Sequence, residues 1–275
     1  MRTLNLLFAA VLFPGCLTDT ELTRAEAKEA MEASVSSARG EAATTEVIEI
    51  STSFTLGQAA EDAAEQLRAW WAAASPCATV TRDGSTVTAD FGDLADDCTY
   101  NGHTYGGLAS VTVDRTDQDD VAVTWAFEGL TNGDVTVDGG ADVTWAGGEN
   151  PSRHVVHDLV WDRDGETLAA TGDRIQTLLD PDAGISEGIL INGTRDWSAD
   201  AGDWALDIAD IEARPVDPVP QAGVYTMTTP AGKTATLTFE RLDDDTIAVT
   251  LSGVRGGDRV YEVSSTGAVT ETSAD

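Results

Sequence analysis

The sequence predicts a mainly β protein: an antiparallel meander, as a curled sheet or a sandwich, with an N-terminal α-helix packed on it. Three observations carry that expectation. From Gly107 onward, short segments alternate apolar residues with Thr or Asp at a period of two; Val121, Val123, Trp125 and Phe127, for example, share one face. Asn-Gly and Asp-Gly pairs separate these segments, and such pairs tolerate the positive φ of tight turns. Ahead of them, Ala60, Ala63, Ala64, Leu67 and Trp71 recur at helical spacing in a run that stops before Pro76.

Taken in order, the chain opens with Arg2 and an apolar run from Leu4 to Phe13. A run of about ten residues is too short to cross a bilayer as a helix, so residues 1–15 read as an export signal. The run ends in Leu12-Phe13-Pro14-Gly15-Cys16, which resembles the lipobox of bacterial lipoproteins, with Phe13 where leucine is usual. The resemblance implies cleavage before Cys16, acylation of that cysteine, and a place in the cell envelope with the lipid as the membrane link. Leu17 stands where aspartate would mark inner-membrane retention, which under the same resemblance points to the outer membrane. Several acyl chains on one residue make a stable anchor, whereas one chain binds only marginally.

Residues 16–45 are rich in Ala and Glu with few large apolar groups. They read as a lipidated tether or weak helix, with Thr20 as its N-cap. Residues 46–54 suit a strand, and 46–212 form the predicted helix-plus-β domain. Trp70 and Trp71 point about 100° apart on a helix, so one is expected to be buried and the other not.

Next comes a hairpin flanked by cysteines, with Asp83-Gly84 at its turn. Cys77 and Cys98 are the only cysteines besides Cys16, and two cysteines in an exported chain are read as one disulfide. Closing a loop of this length stabilises a fold by roughly 3 kcal/mol. A redox pair would want the cysteines two residues apart, and a zinc site would want more ligands.

Further along, turns are expected at Asn132-Gly133, Asp138-Gly139-Gly140, Asp164-Gly165 and Asn192-Gly193-Thr194. Three closely spaced prolines make 213–222 a candidate linker. Beyond it, 223–264 reads as four short strands packed on the main sheet, and 265–275 as a loose tail.

Charge narrows the function. The 48 Asp and Glu against 16 Lys and Arg give a formal net charge of −32. A nucleic-acid partner needs a basic footprint and is excluded. Adhesion to anionic lipid by charge is excluded as well, which leaves the lipid on Cys16 as the membrane partner. A protein or glycan partner is not specified by any motif.

No catalytic residue, cofactor or resident metal is assigned. His154 and His157 are three apart in a strand, where they face opposite sides and read as surface histidines; His103 sits alone in a glycine-rich loop. No serine has a G-x-S-x-G setting. Acidic loops around 92–97, 114–120, 180–184 and 241–245 have the hard oxygens calcium prefers, without the spacing of a calcium loop. The leading reading is a non-enzymatic surface or periplasmic module, structural or binding. The alternative is a β domain that binds carbohydrate or another small molecule by stacking it on some of Trp125, Trp145, Trp161, Trp197 and Trp204. A hydrolase ranks third.

Overall fold

The computed structural model describes residues 20–30, 60–100, 103–117, 120–147, 151–163, 165–182, 187–214 and 216–272. Cys16, the export signal and the strand expected at 46–54 lie outside these residues. Among the described residues the helix Ala60–Ala74 leads into fifteen strands. They are β1 (Thr79–Asp83), β2 (Thr86–Asp90), β3 (Cys98–Tyr100), β4 (His103–Asp117), β5 (Asp120–Thr131), β6 (Thr136–Ala146), β7 (Ser152–Arg163) and β8 (Glu166–Leu178). There follow β9 (Ile189–Ala199), β10 (Gly202–Ala213), β11 (Ala222–Thr228), β12 (Thr234–Arg241), β13 (Thr246–Ser252), β14 (Arg259–Ser264) and β15 (Val269–Thr272). All belong to one curled antiparallel sheet in which each strand pairs with the next, except that β2 pairs with β4 and β3 branches off β4. The protein is mainly β, as its alternation predicts.

One face is greasy and the other wet. In β7, Val155, His157, Leu159 and Trp161 are buried while His154, Val156, Asp158 and Val160 are exposed. Asp and Thr dominate the outer side, where hydroxyls pair across strands, as in Thr86 with Thr112 and Thr88 with Ser110, each at 2.8 Å. The helix lies against β1, β2 and β4 and buries Ala63, Ala64, Leu67 and Trp71. Trp71 is fully enclosed and meets Trp125 and Phe91 edge-on, while its neighbour Trp70 is 41% exposed. Edge-to-face pairs of this kind add about 0.5–1.5 kcal/mol beyond their buried area.

Two expected turns are strand interior instead. Asp138-Gly139-Gly140 runs straight through β6. Gly139 has φ +115° and lies so close to the Asp158 carbonyl that a Cβ would collide with it. The same holds for Gly193, at φ +146° against the Asp173 carbonyl, inside β9. Both glycines sit beside β-bulges, where ladder register shifts between Phe127 and Leu130 and between Ile208 and Ile211. Here Gly marks a close backbone approach and not a chain reversal. Asn192 serves the second bulge by accepting the Asp210 amide at 2.8 Å.

Asp83 pairs with Thr86, so the first hairpin turns on Gly84 and Ser85. The proline-rich segment connects two paired strands of one sheet, with Glu212 opposite Ala222. It is pinned by Asp217, which contacts Arg214 and Arg241 and whose side chain is only 8% exposed. Val269–Thr272, expected in a loose tail, pairs with β14 as a further strand.

At the N-terminal end the helical stretch 24–30 is capped by Thr23 and not by Thr20. The Glu26 amide donates to Thr23 Oγ1 at 3.2 Å and the Thr23 amide to Glu26 Oε2 at 2.7 Å, a reciprocal capping box. Just before it, Leu22 is fully buried and forms a parallel bridge with Val254. The Leu22 amide donates to the Gly253 carbonyl at 2.9 Å, and the Arg255 amide donates to the Leu22 carbonyl at 2.7 Å.

Candidate functional site

Cys77 and Cys98 are joined, with Cα atoms 5.3 Å apart. The bond ties the segment leaving the helix to the short strand β3, and Cys98 is buried. Ser75 Oγ lies 3.6 and 3.8 Å from the two sulfurs. The pair's place is structural: it links two elements outside the β1–β2 ladder that backbone pairing leaves unconnected.

The tryptophans proposed as a stacking platform do not offer one on the outer face. Trp125, Trp161, Trp197 and Trp204 are at most 4% exposed, and Trp145 is half-buried. Trp197 and Trp204 are cross-strand partners that stack on each other at 6.0 Å, and the Arg195 guanidinium lies 5.5 Å over Trp197. Their stacking capacity is spent inside the core.

A trough of about 620 Å³ opens on the outer face across β5 to β9. Strand alternation supplies the charged and hydroxyl part of its lining. Thr124, Asp142, Asp158, Thr171, Asp173, Thr194 and Asp196 all occupy outward positions. Register then arranges them. Asp142 faces Val156, Asp158 faces Gly140 and Thr171, Asp173 faces Val156 and Thr194, and Asp196 faces Thr171. No two of these four carboxylates are direct cross-strand partners, an arrangement that avoids the cost of like charges directly opposite. They form a zigzag, one carboxylate per strand, which Asp207 opposite Thr194 continues onto β10. With strands about 4.8 Å apart, negative charge recurs at nearly even steps across five strands.

Short hydrogen bonds order the rim. Thr124 Oγ1 lies 2.9 Å from Asp114 Oδ2 and 2.8 Å from Asp142 Oδ1, sharing its one proton between them. His154 Nε2 lies 2.6 Å from Asp173 Oδ1 on the exposed face. Both side chains are well exposed, so water screens the pair and its contribution to stability is small. Among the described residues no serine or threonine hydroxyl donates to His154.

His157 corrects the expectation of two surface histidines. It is 4% exposed, on the inner face, opposite Gly172. Its ring covers the space a side chain at Gly172 would take. His103 lies exposed at the start of β4. The acidic loops do their ordering locally: Asp93 and Asp96 cap a short 3₁₀ turn, and Asp243 Oδ1 accepts the Asp245 amide at 2.9 Å. Among the described residues no group of three His, Cys, Asp or Glu side chains is placed to hold a metal ion.

Each aspartate of the zigzag is visible in the sequence, but the line they form is not. Its signal is an Asp at an outward position of five successive strands, which needs register to be read. Comparison with models of known families, with curated proteins and with solved structures finds no match for this chain.

Proposed function

We propose that the protein is an exported lipoprotein of the cell envelope, held by acyl chains on Cys16, whose β body works by binding and not by catalysis. The anchor rests on the resemblance of Leu12–Cys16 to a lipobox. The binding reading rests on one observation: a concave outer face on which Asp142, Asp158, Asp173 and Asp196 recur at strand spacing. The ligand class that complements such a line is an extended polycation, a linear polyamine or a basic peptide, with amines spaced along a flexible chain. Threonine hydroxyls between the carboxylates supply acceptors for the remaining N–H groups. Each contact is solvent-exposed and weak, so affinity comes from several made together and falls with salt.

The test is calorimetric titration of spermine into the acylated protein at low and at physiological salt. Asp158→Asn/Asp173→Asn/Asp196→Asn should weaken binding several-fold. Asp83→Asn/Glu240→Gln/Asp258→Asn, which removes equal charge elsewhere, should leave it nearly intact. Equal losses in the two variants would make the effect one of net charge and sink the site. The anchor is tested separately: Cys16→Ser should move the protein from the membrane to the soluble fraction.

A further inference from the structure

The docked segment at the start of the fold fixes how the body sits on its anchor. Leu22 is fully buried, bridges Val254, and exchanges two backbone hydrogen bonds with the β13–β14 connection. Four residues on, Glu26 grips Lys233 in the β11–β12 connection, its oxygens 2.8 and 2.9 Å from the ammonium. Both connections lie at the same end of the sheet, since the start of β12 pairs with the end of β13. Gly202, at the β9–β10 turn, lies beside Pro230, so that turn shares this end as well.

Leu22 is six positions after Cys16. Even fully extended, six residues reach only about 20 Å. We infer that the end of the sheet carrying the 229–233 and 253–258 connections faces the bilayer at close range, held there by a short leash. The inference rests on the lipid anchor proposed above. A free tether running to residue 45 would let the body tumble; fixation at Leu22 removes most of that freedom. The opposite ends of the same strands stand off: β12 spans 8 residues, about 26 Å, before the chain turns at Leu242–Asp245.

The prediction is read by energy transfer on the full acylated chain in vesicles of phosphatidylethanolamine and phosphatidylglycerol containing an acceptor lipid. A donor dye is placed on Ala231→Cys or on Asp244→Cys, both exposed, with the Cys77–Cys98 bond left oxidised. The probe at 231 should be quenched several-fold more than the probe at 244. A long Gly/Ser insertion between Leu17 and Thr20 should shrink that ratio towards one, because it lengthens the leash without touching the docked residues. A protein that floats with the vesicles yet quenches equally at both sites overturns the orientation and leaves the anchor standing. One that does not float, or floats equally well as Cys16→Ser, overturns the anchor and the orientation with it.

Discussion

Lys233, one of only two lysines in the chain, closes a bidentate contact with Glu26, 207 positions earlier in the sequence. The Lys233 ammonium, and after it Thr23, holds the Glu26 carboxyl down from its ordinary 4.5 to about 2. A depressed carboxylate contributes stability above its unfolded pKa and loses it as pH falls through the folded value. Docking of residues 22–30 is therefore expected to hold at neutral pH and to loosen between about pH 4.5 and 2. Hydrogen exchange at the Arg255 amide, compared with amides of β7 and β8 in the same sample, reads the change. Glu26→Gln should abolish this extra pH dependence.

Reducing the Cys77–Cys98 bond reopens a loop with 21 positions of sequence separation. Loss of about 3 kcal/mol is expected from the denatured chain's regained freedom. Denaturant titration with and without reductant measures it, and coincident midpoints would refute it.

Gly172 has an ordinary backbone conformation, so its constraint is purely steric. Gly172→Ala would push its methyl into the His157 ring and should cost about 1–3 kcal/mol, the usual range for overpacking. Adding His157→Ala should recover part of the loss, giving a non-additive cycle in chemical denaturation.

Adjacent tryptophans on the helix should behave oppositely. Trp71→Ala empties a fully enclosed site against Trp125 and Phe91 and is expected to cost about 3–5 kcal/mol. Trp70→Ala, at 41% exposure, should stay within about 0.5 kcal/mol. Similar thermal midpoints for the two variants would contradict the packing described.

The alternation of Val121, Val123, Trp125 and Phe127 was enough to read the sheet, because burial on one face imposes a period of two on every strand. The helix was equally plain, since Ala63, Ala64, Leu67 and Trp71 lie on one stripe. What escaped was glycine inside strands. Gly139 and Gly193 follow Asp and Asn, so they look like turn pairs, and only the neighbouring carbonyls of Asp158 and Asp173 show why a side chain is excluded. The acidic line was hidden for a related reason. Asp142, Asp158, Asp173 and Asp196 are far apart in sequence, and the unbroken pairing of β6 to β9 that lines them up is not written in any one segment. Thr20 lost the helix cap to Thr23 because only Thr23 has a glutamate three positions later to complete the box.

Pairing of strands with their immediate successors also bears on how the protein is made. A ribosome releases residues in order, and each new hairpin can be laid onto the last without waiting for distant sequence. The opening segment departs from this order: Leu22 and Glu26 meet Val254 and Lys233, which are synthesised long after them. The earliest part of the fold to emerge is thus among the last to settle, and a nascent chain stalled before β13 would carry its finished strands with that opening segment still unlatched.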